Sequence, residues 1–215
     1  MVPTNLRAVA WTVALAVFAA IAAWPPLAGV LELERSAVCS EPWRLLTCHW
    51  AHWHLDHLCW NLAVFAVLGA MMETRSRARF LACVVISALV ISTALVVTQP
   101  GLERYRGASG VDSALFAAVV TATLREAVAA RQWRAATWLA LGITALFGKI
   151  VFESVTGRCL FVDTTTFTPI PLVHGLGAIV GVIVALVPTG RAAAPVLERE
   201  RDERDPTAAA NRPAS

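Results

Sequence analysis

The sequence predicts an all-α polytopic membrane protein, and three observations carry that prediction. Of its 215 residues, 57% are hydrophobic and only 15% charged, and the mean hydropathy is +0.63. A soluble domain carries about 25% charged residues because water must solvate its surface, so lipid must cover much of this one. The apolar residues also gather into runs close to the ~20 residues a helix needs to cross a bilayer. Finally, the arginines concentrate in alternate gaps between those runs, as loops on a cytoplasmic face do.

Six runs qualify as segments: residues 8–31, 57–72, 80–97, 109–124, 135–151 and 170–187. The first has a single preceding basic residue, Arg7, and is longer than a secretory leader's apolar core, so it reads as a retained helix. Residues 1–190 form the expected six-helix membrane domain. From Arg191 to Ser215 the chain turns polar, charge-mixed and Pro-containing, the composition of a disordered tail.

Orientation follows from the loops. The second gap holds Arg75, Arg77 and Arg79, and Arg125, Arg131 and Arg134 flank the fourth. The first gap is acidic, with Glu32, Glu34, Glu41 and Asp56 against two arginines. The third gap's Arg104 and Arg106 weaken the bias without reversing it. Both termini and the tail are therefore expected in the cytoplasm, with odd-numbered gaps outside. Net charge is +3 and the basic residues are scattered, which excludes a nucleic-acid surface. Nearly all are Arg, with Lys149 the one lysine, and Ala is abundant, as in proteins from GC-rich bacterial genomes.

On this topology the second, fourth and sixth helices begin on the outer side. His57 and Asn61 open the second, Ser109 the fourth and His174 the sixth, so dispersed polar residues converge at one depth. Gly107 and Gly110 flank Ala108-Ser109, permitting a tight turn that lifts the serine hydroxyl clear of its neighbours. At a helix start, free amides would also favour a developing oxyanion. The competing reading is an ordinary helix cap, Ser109 with Asp112 three residues on. His174, Gly177 and Gly181 share a helical face whose small residues admit a close neighbour. Gly110, Ala114 and Ala117 offer the matching face, and such a pairing would bring imidazole to hydroxyl. A histidine merely bonded near the headgroups is the alternative.

His49, His52, His54 and His57 fall within nine residues, followed by Asn61. One reading is a metal-binding or transport site, for which His54, His57 and Asp56 would have to converge. The other is that His52, His57 and Asn61 donate hydrogen bonds to an oxyanion beside Ser109, with the remaining histidines and Trp43, Trp50, Trp53 and Trp60 in the interfacial aromatic belt. No CxxC occurs among the five cysteines, so no zinc framework is indicated. Cys59 and Cys83 read as small hydrophobes, and Cys39 could pair with Cys159 across outer loops, with Cys48 as competitor.

The ordered set H-x4-H-x3-N (His52, His57, Asn61), G-x-S-G around Ser109 and H-x-x-G-A-x-x-G from His174 resembles the rhomboid intramembrane proteases. Trp43-Arg44 in the first loop and Glu73 at the end of the second helix fit the same pattern. The resemblance implies a six-transmembrane-helix rhomboid-like bundle, with Ser109 as nucleophile and His174 as general base. It implies an oxyanion hole from His52, Asn61 and the Ser109 amide, supported by His57 and Gly107, and no metal or other cofactor. One position departs: many rhomboids carry Tyr four residues after the serine, stacked on the histidine, and here it is Ser113. The stretches 43–47 and 149–153 look like the rhombosortases, a compact bacterial branch. That likeness implies a site open to the outer side of the bacterial inner membrane. The substrates would be membrane-anchored proteins with a C-terminal transmembrane tail of the GlyGly-CTERM type.

Overall fold

The computed structural model describes residues 6–158 and 170–188. After a 3-10 turn at Leu6–Val9 come α1 (Ala10–Ala22), α2 (Pro25–Leu31), a short strand β1 (Leu33–Glu34) and α3 (Arg44–Thr47). α4 (Leu55–Arg75), α5 (Arg77–Thr98), β2 (Arg104–Tyr105), α6 (Ser109–Ala129), α7 (Trp133–Thr156) and α8 (Pro171–Leu186) follow.

All six apolar runs are helical, but the first is not one helix. α1 and α2 meet at an angle of 114°. Pro25 and Pro26 supply the cause: a proline disfavours helical backbone at the residue before it, and Trp24 is accordingly extended at φ −64°, ψ 119°. The expected single helix over 8–31 is corrected to this bent pair. Among the described residues, α4, α5 and α7 are each long and apolar enough to cross a membrane, and the bent pair makes a fourth if it forms one span. α6 has the length but carries Asp112, Arg125 and Glu126, and α8 is apolar but only 16 residues long. The tail from Arg191, like Cys159, lies outside the described residues; Cys39 is exposed.

α6 is the axis of the bundle. Twelve of its residues are buried, against two of α7, and α4, α5, α7 and α8 all pack on it. Its closest partner is α8. A Cβ built on Gly177 or Gly181 would collide with the carbonyls of Gly110 or Ala114. The backbones thus approach more closely than any side chain allows, as the small-residue faces predict. The core between α4, α5 and α6 is aromatic and aliphatic, with Trp50 edge-on to Phe65 at 5.1 Å and Phe80 beyond.

At the arginine-rich end, Arg79 and Arg125 donate to the carbonyls of Val187 and Ala185, satisfying the open end of α8. There too Glu73 accepts from the Trp11 amide (3.1 Å), the Thr12 amide (2.8 Å) and the Thr12 hydroxyl (2.8 Å). A carboxylate on the free amides of a helix start is favourable, and here it ties α4 to α1.

Candidate active site

The opposite end holds the site. β1 and β2 pair antiparallel, Leu33 with Tyr105 and Glu34 with Arg104, pinning the loop before α6 to the first loop. Arg106 strengthens the tie through Glu32 (2.7 Å) and by lying 4.4 Å over the Trp53 ring. Arg44 binds the carbonyls of Gly29 and Glu32 and the Glu41 carboxylate, so the Trp-Arg pair contributes an internal clamp for this loop. The Gly107 amide donates to the Cys48 carbonyl at 3.1 Å, and the Tyr105 hydroxyl donates to the Gly107 carbonyl at 3.0 Å. Gly107 takes φ +134°, which only glycine adopts without strain, and a Cβ there would press into the His57 ring at 2.9 Å. This turn delivers Ser109 as the first residue of α6.

Ser109 is not the helix cap. That position falls to Ala108, with no side-chain cap bond, and the buried Asp112 carboxyl oxygens meet no hydrogen-bond partner among the described residues. The Ser109 hydroxyl instead lies 3.0 Å from Nε2 of His174. The close α6–α8 pairing accounts for that distance between residues 65 apart in sequence. Ser113 does not reach the imidazole, since its hydroxyl donates back to the Ser109 carbonyl at 2.8 Å. The other face of His174 meets α7: Nδ1 is 2.8 Å from Oε2 of Glu153, whose Oε1 is 2.7 Å from Nζ of Lys149.

The histidine cluster separates. Nε2 of His49 faces the Ala88 carbonyl (3.1 Å) and the Ser92 hydroxyl (3.0 Å). His52 lies between the Trp50 carbonyl, 3.1 Å from Nδ1, and the Asn61 amide nitrogen, 2.9 Å from Nε2. His54 takes the N-cap position of α4. Burial pushes His49 down to about 4, and burial with neighbouring His57 pushes His52 down to about 3. A neutral imidazole has one N–H. In His52 it donates from Nδ1 to Trp50, and Nε2 accepts from Asn61. In this arrangement His52 holds the Asn61 side chain in place. His57 sets its ring against Gly107, 5.0 Å from the His52 ring. Among the described residues, no three His, Cys, Asp or Glu side chains converge as metal ligands would.

A serine hydroxyl held against an imidazole at a helix start is an arrangement suited to acyl transfer. The Rhomboid domain family matches residues 40–191, a stretch that contains every one of these groups. The chain belongs to the rhomboid family. Rhomboids are intramembrane serine proteases acting on membrane-protein substrates within the bilayer, and the apolar helices agree with an integral membrane protein. No curated protein matches the sequence. Sequence reasoning did not give Glu153 a place in this rhomboid site. Its signal was a Lys and a Glu four residues apart inside an apolar run, where ionisable groups are costly and usually functional.

Proposed function

We propose that the protein is an intramembrane serine endopeptidase in which Ser109 is the nucleophile and His174 the general base. The observation that carries this is the 3.0 Å separation of Ser109 Oγ and His174 Nε2. His174 takes the hydroxyl proton as Oγ attacks the scissile carbonyl, then returns it to the leaving amine; water hydrolyses the acyl-enzyme by the same route. The oxyanion is held by the Ser109 backbone amide, the second Asn61 N–H and His57, with His52 holding Asn61 and Gly107 admitting the His57 ring. No cofactor enters these steps. The dispersal of the four histidines speaks against a metal-binding or transport function for that cluster.

A serine-directed fluorophosphonate tests this reading. It is expected to label Ser109, and Asn61→Ala should slow labelling by roughly 10²–10³-fold, the usual consequence of losing one oxyanion donor. His54→Ala should have far less effect. No adduct on Ser109 in folded protein would overturn the assignment.

The rhombosortase likeness motivates a choice of substrate. We propose processing of single-span proteins bearing a GlyGly-CTERM-like tail, on the outer face of a bacterial inner membrane. An active site can act only on backbone released from helical hydrogen bonds. Each Gly weakens a helix by about 1 kcal/mol relative to Ala, so two of them above a span present unwound chain. A secreted reporter with such a tail should be cleaved near the pair on co-expression, and replacing both glycines with Leu should block processing. Equal cleavage of the two reporters would mean a general rhomboid specificity and leave the protease reading intact.

A further inference from the structure

Glu153 is the least expected residue in the bundle. α7 is otherwise an outward-facing helix, with only Ala136 and Glu153 buried, and the Glu153 side chain is 1% exposed. A carboxylate in that position is costly unless it is paired. Its partners include Lys149, one turn earlier, and Nδ1 of His174.

The imidazole could be oriented in two ways. Among the described residues Nδ1 has two polar neighbours: Glu153 Oε2 at 2.8 Å, which can only accept, and Lys149 Nζ at 3.3 Å, which can only donate. If Nδ1 carries the proton, it donates to Glu153, and Nε2 presents a lone pair to Ser109. If Lys149 donates to Nδ1, the proton sits on Nε2 and Ser109 faces a donor, not a base. The shorter contact, made to a charged acceptor, selects the first state. Nothing else described does so, because Ser113 is turned back to the Ser109 carbonyl.

We propose that Glu153 is the third member of a Ser109–His174–Glu153 relay, a positioning residue that fixes the His174 tautomer and stabilises the imidazolium formed during proton transfer. The proposal rests on the Ser109–His174 reading above. Lys149, itself a quarter exposed, balances the charge of the buried Glu153 carboxylate. The other ionisable groups nearby, His57 on α4 and Asp112 on α6, do not bond to Nδ1 of His174.

The test uses the full chain in lipid nanodiscs, with the fluorophosphonate as probe. Glu153→Gln should leave the saturation constant for labelling unchanged while the maximal labelling rate falls by roughly 10⁴-fold, the cost of replacing a triad carboxylate by its amide. With the carboxylate gone, Lys149 becomes the donor to Nδ1, so nitrogen-15 spectra should show the His174 proton moved from Nδ1 to Nε2. Adding Lys149→Met to Glu153→Gln should restore part of the rate, whereas a purely structural role for the pair would make the double variant worse. Glu153→Gln labelling at the wild-type rate, or slow labelling with the Nδ1–H tautomer retained, would overturn the proposal. The tautomer is read without the probe, so the assignment of Glu153 is tested even if Ser109 itself takes no label.

Discussion

Ser109→Ala and His174→Ala are each expected to abolish proteolysis while the protein still inserts and folds. Both side chains are small parts of the α6–α8 contact, whose closeness comes from Gly110, Ala114, Gly177 and Gly181. Removing either should therefore leave the bundle standing. Their effects should not add. Once the hydroxyl is gone the imidazole has no proton to take, so the double variant should be no slower than either single one. Residual turnover would come only from the oxyanion donors and substrate binding. Reporter cleavage by each purified variant, alongside a check of folding, measures this. Wild-type turnover in Ser109→Ala would end the serine-protease reading.

Much of this site was legible because it depends on topology more than on local structure. Ser109, His174, His57 and Asn61 each stand at or near the start of an even-numbered apolar run, and alternating crossings bring such starts to one end. The Gly110–Gly177 approach was legible as well, since small residues at helical spacing on two segments predict contact without a motif. The division of labour between His52 and His57 is not legible in the sequence. The spacing H-x4-H-x3-N leaves open which histidine is in the helix. His57 and Asn61 are four apart on α4 and share a face, whereas His52 lies before the helix, where its bonding depends on where the Trp50 carbonyl points. Sequence does not encode that direction in a readable way.

Two other features are hidden from a hydropathy reading for physical reasons. The 8–31 run was long enough for one helix, but hydropathy is blind to backbone geometry. The adjacent prolines decide the matter by forcing Trp24 out of the helical region. Glu153 was visible only as part of a likeness to one branch. Which helix face an ionisable residue occupies depends on how α7 is rotated, and α7 has apolar residues all round. Only the placement of α8 beside it shows that the buried carboxylate meets His174.

Gly177→Ala is expected to cost stability and activity together, and a matched change two residues earlier provides its control. In an exposed helix, Gly to Ala stabilises by about 1 kcal/mol through backbone entropy and helix propensity. At Gly175 the added methyl meets nothing within 4 Å, so Gly175→Ala should gain some of that stability and keep its activity. At Gly177 the same methyl would fall on the Gly110 carbonyl, which is backbone and cannot swing away. The helices must separate. Overpacking typically costs 1–3 kcal/mol, which offsets the propensity gain and leaves the variant less stable. Its effect on chemistry should be larger. Ser109 and His174 sit on the two helices that part, at a hydrogen-bonded 3.0 Å, and a shift of about 1 Å in a reacting pair costs on the order of 100-fold in rate. Gly177→Ala should therefore lose about two orders of magnitude in reporter cleavage and in fluorophosphonate labelling alike, with a lowered melting temperature, while Gly175→Ala stays at or above wild type in all three. If Gly177→Ala proves more stable than wild type and equally active, then the close α6–α8 approach is not what holds the serine against the histidine.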